Sequence, residues 1–177
     1  MSCWNCPLDL SEAGPKLSRV TITVQPASQD DAEDLAALMV ELDTFYGAPP
    51  TEDAAVLAAQ IQRLLFGPIP AAYVLLAREE DRLVGMASYS YLWPAAGVTH
   101  SLFLKELYVS EAARRHGVGR LLMEHLRAIA TEQGCSRVEW TTDTENTGAQ
   151  AFYGALGTRV HASKVFYRAQ TENHKIT

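Results

Sequence analysis

Apolar spacing that switches between strand and helix periods predicts an α/β protein of the mixed α+β kind, a central mixed, mostly antiparallel sheet flanked by about four helices. Three observations carry the prediction. A chain of 177 residues suits one sizeable core rather than two. With 47% hydrophobic and 20% charged residues, the composition is that of an ordinary globular domain. The periodicity itself runs strand, two helices, three strands, helix, strand, helix, then one or two closing strands, or β-α-α-β-β-β-α-β-α-β-β.

Residues 1–18 are polar and aperiodic and are expected to form a leader outside the core. The domain is expected to span 19–169 and a polar tail 170–177, which includes "TENHKIT". Val20, Ile22 and Val24 alternate as a strand with one buried face. Ser28 is placed to cap a helix whose stripe is Leu35, Leu38, Met39 and Leu42, stopped by "TFYGAPP". Thr51 is the candidate cap of a second helix with the apolar face Leu57, Ala58, Ile61, Leu64 and Leu65, ended by "GPIP". "AAYVLLAR", "LVGMASYSYLW" and "SLFLKELYV" then read as an antiparallel meander. Val118, Leu121, Leu122, His125, Leu126 and Ile129 mark a long amphipathic helix, with Gly134 placed to end it. "RVEWTTD" is a further strand, Ala149, Phe152, Tyr153 and Leu156 give a short helix closed by Gly157, and "TRVHASKVFYRAQ" reads as the closing strands.

Several function classes are disfavoured at once. No run approaches the roughly 18 apolar residues of a membrane span, and the N-terminus has neither a basic start nor an apolar stretch of signal-peptide kind. Three cysteines, Cys3, Cys6 and Cys135, suit reduced thiols and a cytoplasmic location better than a disulfide framework. Cys3 and Cys6 supply only half of a structural zinc site, and the histidines at 100, 116, 125, 161 and 174 lack ligand spacing, so no metal is expected. A formal charge of -6 counts against a nucleic-acid partner and favours a cationic one.

The stretch "ARRHGVGRLL" sets arginines and glycines at the start of the long helix. A helix N-terminus offers unpaired N–H groups and the positive end of its dipole to an anion. Gly117 and Gly119 clear the backbone approach, and Arg114, Arg115 and Arg120 add charge, so a phosphate or pyrophosphate is the natural guest. A dinucleotide fingerprint would need a glycine where Leu122 stands, and the Gly-Lys-Ser/Thr of a P-loop is absent. What matches is R-x-x-G-x-G over Arg114 to Gly119, directly after "ELYV", followed about thirty residues on by N-x-x-A-x-x-F-Y-x-x-x-G within "DTENTGAQAFYGALG". With the element order, this resembles the GCN5-related N-acetyltransferase (GNAT) superfamily over roughly residues 20–168.

The resemblance implies a GNAT fold, acetyl-CoA as co-substrate and a homodimer. It implies that the backbone of Leu107, Tyr108 and Val109 pairs with pantetheine, while the amides of Arg115, His116, Gly117, Val118, Gly119 and Arg120 hold the pyrophosphate beside Arg114. Acetyl transfer needs a deprotonated amine, since an alkylammonium with a pKa near 10 has no lone pair. It needs donors for the oxyanion, which the family takes from backbone N–H groups on the strand, and an acid for the departing thiolate. Tyr153 stands where the family places that acid, although it also lies on an apolar helix face with Ala149, Phe152 and Leu156. Asn146 reads both as an N-cap and as a contact to the CoA arm. Glu106 is the candidate base or amine anchor, with a solvated or salt-bridged strand residue as the plain alternative.

"FLKELYV" is close to the "FLEDLYV" type of spermidine/spermine acetyltransferases, but Lys105 replaces the first acid, a departure that bears on polyamines as substrate; adjacent strand residues face opposite ways. Candidates for the acceptor pocket are Asp43, Tyr46, Tyr89, Tyr91 and Trp93, which offer charge and ring faces to a cation, with Asp143 at the end of its strand. A packed aromatic strand is the competing reading of these rings. The expected activity is acetyl transfer to the primary amine of a small molecule (polyamine, amino acid or amine-bearing antibiotic) by direct attack in a ternary complex. A protein lysine or N-terminal acetyltransferase and a non-catalytic acyl-CoA-binding module are the alternatives.

Overall fold

The computed structural model describes residues 21–48 and 52–169, so the leader, Val20, Thr51 and the tail lie outside the described residues. The chain divides into two compact units, Met1–Val138 and Glu139–Thr177. Its elements are β1 (Ile22–Pro26), α1 (Ala32–Phe45), α2 (Ala54–Leu65), β2 (Tyr73–Glu79), β3 (Arg82–Leu92), β4 (Ser101–Val109), α3 (Val118–Glu132), β5 (Val138–Trp140) and α4 (Thr147–Ala155). The strand order of the sheet is β1-β2-β3-β4-β5. The predicted meander is present: β1, β2, β3 and β4 pair antiparallel in sequence order.

In the first unit α1 packs on one sheet face because its stripe repeats at helical spacing while the strands alternate. Leu35, Leu38 and Leu42 of α1 bury against Val74 and Leu76 of β2, Met86 of β3 and Tyr108 of β4. Fully burying each leucine contributes roughly 1.5–3 kcal/mol. Helix α3 supplies a second buried stripe, Val118, Leu122, Met123, Leu126 and Ala130, and contacts β1, β2, β3 and β4. Leu121, His125 and Ile129, expected on that stripe, are half-buried at its margin.

Chain entry into α1 is fixed by an ionic lattice. The Asp31 carboxylate accepts from the Ser28 N–H and hydroxyl, each at 2.7 Å, and from Arg78 Nη2 at 2.7 Å, while the same nitrogen reaches Asp34 at 2.7 Å. Burial acts to raise the Asp31 pKa, but these bonds outweigh it and hold the carboxyl below its usual range. Gly134 ends α3 at φ +70°, as its predicted role requires.

Three local expectations are corrected. Asp53 caps α2, its side chain accepting from the Ala55 N–H at 2.9 Å. This follows from an extended cap residue with a short acceptor reaching the first free amides. Leu64 is 44% exposed, and the covered face of α2 runs through Leu57, Ala58, Ile61 and Leu65. No strand forms over the described residues 158–169. Alternation there has no covered face to serve, since Val160, Val165, Phe166 and Tyr167 are all exposed.

Candidate active site

The turn between β4 and α3 is built from short bonds and two left-handed residues. Ser110 N–H donates to Val84 O at 2.9 Å, tying the end of β4 to β3, and Ala113 N–H returns to Ser110 O at 2.9 Å. Ala113 is buried and anchors the turn. Beyond it Arg115 has φ +66° and Gly117 φ +84°. A glycine adopts that conformation without the cost, roughly 1–2 kcal/mol, that a Cβ imposes. A Cβ built on Gly117 would meet nothing within 4 Å, so the space over this turn is open rather than packed. The first α-helical bond is Leu121 N–H to Gly117 O at 3.0 Å, and no side chain caps the helix. Helix geometry therefore leaves the amides of Val118, Gly119 and Arg120 without helical acceptors. Arg115, His116 and Arg120 are exposed around them. This cradle fits a pyrophosphate by conformation, donor supply and charge.

Arg114 does something else. Its Nε donates to Val109 O at 3.0 Å, and its guanidinium lies 4.4 Å from the Phe45 ring centroid and 5.8 Å from that of Tyr108. The side chain braces the turn on α1.

Strand β4 carries an irregularity where the chemistry was expected. Ser88 stands opposite Glu106, yet Tyr89 stands opposite Leu104, which leaves Lys105 as an extra residue. Such a bulge takes backbone groups out of the ladder and interrupts the simple alternation of Lys105 and Glu106. Glu106 is half-buried and Lys105 exposed. Leu107, Tyr108 and Val109 continue in register opposite Ala87, Met86 and Gly85. On the other side of β4, Leu102 N–H donates to Arg137 O at 3.0 Å and Ser136 N–H to His100 O at 2.9 Å, both at the start of the strand.

The acceptor-pocket candidates of the first unit fall in three places. Tyr89 and Tyr91 join Tyr73 and His100 in one cluster, with ring centroids 5.5 to 6.0 Å apart. Burial, reinforced by the neighbouring Tyr89, pushes the Tyr91 hydroxyl up to about 12. Tyr89 and Tyr73 also line a cavity of about 250 Å³ with Ala27, Leu65 and Phe66. Asp43 and Tyr46 stand instead at the end of α1, where Asp43 O accepts from Ala48 N–H at 2.9 Å and the Tyr46 ring meets Phe45 edge-on at 5.3 Å. Trp93 is exposed past β3, its indole N–H bonded to Val98 O at 3.0 Å.

The second unit holds the remaining candidates. Asn146 caps α4, its Oδ1 accepting from Ala149 N–H at 3.0 Å. Tyr153 is half-buried on α4, its ring 5.0 Å from Trp140 and 5.1 Å from Phe152. Asp143 is exposed and its carbonyl accepts from Asn146 N–H at 3.0 Å. Among the described residues no group of three His, Cys, Asp or Glu side chains is placed to hold a metal, and no helix is long and apolar enough to cross a membrane. Cys3 and Cys6 lie outside the described residues.

Sequence reasoning missed Glu41, Phe45 and Ser110, which surround Tyr108 and Arg114, and Gly85, over which β4 passes closely. The only sequence signal is that Glu41 and Phe45 are one helical turn apart; their partners are some seventy positions away along the chain.

Fold and turn together define the class, a mixed α/β domain whose exposed arginine–glycine turn opens the uncapped start of α3. Residues 35–158 match the family described as Acetyltransferase (GNAT) family, and the chain belongs to that family. It is 35% identical over 90 residues to the D-amino-acid N-acetyltransferase HPA3 of Saccharomyces cerevisiae, an alignment covering 51% of this chain and 55% of the relative. It is 38% identical over 66 residues to the aminoglycoside N(6')-acetyltransferase type 1 of Serratia marcescens, covering 37% of this chain and 45% of the relative. The chain thus aligns with about half the length of each, 55% and 45%. Among solved structures, an integron cassette protein from the mobile metagenome of V. cholerae superposes with a TM-score of 0.79 at 28% identity, covering 85% of this chain and 93% of that one. Proteins of the GNAT family use acetyl-CoA.

Proposed function

We propose that the protein transfers the acetyl group of acetyl-CoA to the primary amine of a small molecule by direct attack in a ternary complex. The observation that carries the donor half is the open left-handed turn at Arg115 and Gly117 leading into the uncapped start of α3. In this reading the amides from Arg115 to Arg120 hold the pyrophosphate, the backbone of Leu107, Tyr108 and Val109 pairs with pantetheine, and Asn146 contacts the CoA arm. Acetyl-CoA supplies an acetyl group already activated as a thioester.

The chain's own residues then manage two protons. Glu106 takes the proton of the incoming ammonium, directly or through water, so that nitrogen has a lone pair to form the C–N bond. As the C–S bond breaks, the Tyr153 hydroxyl gives its proton to the sulfur and regains one, through water, as the new amide nitrogen sheds its second proton. Support for Tyr153 comes from its place in the N-x-x-A-x-x-F-Y-x-x-x-G segment. The bulge at Lys105 supports a backbone donor to the carbonyl oxygen.

Small amines are favoured by the names of the two relatives, an amino-acid and an aminoglycoside acetyltransferase, and by the aromatic cluster. Tyr89 and Tyr91 offer ring faces to a cation. Asp43, Tyr46, Trp93 and Asp143 are the proposed further contacts. The test is free-thiol release from acetyl-CoA against amino acids, aminoglycosides, polyamines and a lysine peptide, with CoA binding measured in parallel. Release with one class of small amine is expected. Release with the peptide alone would make it a protein acetyltransferase, and binding without release across the panel would make it a non-catalytic acyl-CoA-binding module.

A further inference from the structure

Glu41 reaches from α1 to the end of β4 and spends both carboxylate oxygens there. The Tyr108 hydroxyl donates to Oε1 at 3.0 Å and the Ser110 hydroxyl to Oε2 at 3.0 Å. Residues 108 and 110 are two apart in extended chain, so their side chains leave the same face and one carboxylate can grip both. One helical turn on from Glu41, Phe45 carries the Arg114 guanidinium 4.4 Å from its ring centroid, and Arg114 Nε holds Val109 O at 3.0 Å. Phe45 also meets the Tyr108 ring at 6.0 Å. Two residues of α1 at i and i+4 thus hold Tyr108, Val109, Ser110 and Arg114 from one side. On the other side the backbone pairs with β3, through Val109 opposite Gly85 and Ser110 N–H on Val84 O.

This bracing sits directly ahead of the left-handed Arg115, whose φ is +66°. A non-glycine residue in that region persists only when its surroundings over-determine it. We propose that Glu41 is a positioning residue for acetyl-CoA, its carboxylate fixing the end of β4 and the entry to the arginine–glycine turn in the geometry that binds the donor. The inference rests on the assignment of Leu107, Tyr108 and Val109 to pantetheine and of the turn to pyrophosphate. Carboxylate acceptors make hydrogen bonds about twice as strong as neutral ones, so removing one that holds two donors is felt at both.

The test compares wild type, Glu41→Gln, Glu41→Ala and Tyr108→Phe. Three readouts are CoA affinity by calorimetry, KM and kcat for acetyl-CoA, and amide hydrogen exchange over residues 108–115 without ligand. Glu41→Ala is expected to raise the CoA Kd and the acetyl-CoA KM about tenfold and to speed exchange over 108–115, while the amine KM stays put. Glu41→Gln, which keeps one acceptor oxygen, is expected to recover most of the affinity. A residue that merely stabilised the fold would lower the active fraction, and so the apparent kcat, without moving KM. A folded Glu41→Ala with wild-type Kd and exchange would overturn the role. If Glu41→Ala does not fold, Tyr108→Phe, which removes one of the two donors to Glu41, decides it: wild-type exchange and Kd overturn the proposal, and faster exchange with weaker binding supports it. A wild-type chain that binds no CoA overturns the donor reading itself, an outcome distinct from equal binding by wild type and variant.

Discussion

Replacing Tyr153 by Phe deletes one hydroxyl and leaves the ring that packs against Trp140 and Phe152. If that hydroxyl protonates the departing sulfur, Tyr153→Phe lowers kcat by about 10²- to 10⁴-fold. CoA affinity falls less than turnover, because the variant keeps the ring and loses only the hydroxyl, whose proton is given in the transition state. Steady-state kinetics with calorimetric CoA titration checks both, and undiminished turnover removes Tyr153 from the chemistry. Legibility at this scale follows the range of the interaction. Asn146 was readable as a cap because its bond to Ala149 N–H spans three residues. Arg114 was readable as a charge near an anion site, whereas its packing on Phe45 depends on how α1 crosses the end of β4. Glu41 was invisible for the same reason: its donors, Tyr108 and Ser110, lie beyond helix α2 and strands β2 and β3.

Where β4 passes over β3, the two strands meet at a residue without a side chain. A Cβ on Gly85 would stand 2.8 Å from Tyr108 O, 3.3 Å from a Val118 methyl and 3.4 Å from a Val109 methyl. The first contact is with backbone, which cannot rotate away, so Gly85→Ala must push the end of β4 outward. A loss of about 1–3 kcal/mol is expected, as for other overpacked sites, together with a higher KM for acetyl-CoA. Thermal unfolding and donor kinetics check this, and a variant unchanged in both would mean that β4 adjusts freely here. The meander was legible because period-two alternation reports a half-buried face directly, and α3 because its apolar residues recur at helical spacing. The bulge at Lys105 was not, since the adjacent polar pair Lys105 and Glu106 in "FLKELYV" fits a plain strand end as well, and only pairing with Tyr89 and Ser88 reveals the extra residue. The expected strands in 158–169 failed for a related reason: alternation specifies a face, and pairing needs an edge to receive it.

At the scale of the whole molecule, one carboxylate ties stability to acid: Asp31 joins the start of α1 to Ser28 and to Arg78 of β2 with a side chain only 11% exposed. Burial would raise its pKa; the Ser28 backbone and hydroxyl bonds, with Arg78, bring it below the usual value. A carboxyl with a depressed folded pKa contributes stability above its unfolded pKa of about 3.9, and that contribution is lost as pH falls toward the folded value. Protonation of the unfolded chain begins first, so the unfolded state binds more protons through that window and stability rises with pH across it. Asp31→Asn removes the titration while keeping the shape. Its expected cost at pH 7 is about 2 kcal/mol, in the range of charged hydrogen bonds lost at a part-buried site. Urea unfolding at pH 7 and at pH 3 measures the gap between wild type and variant. A smaller gap at pH 3 is expected, because wild type has by then surrendered part of what the substitution takes away; a gap that stays constant with pH would place the acid sensitivity of the fold elsewhere.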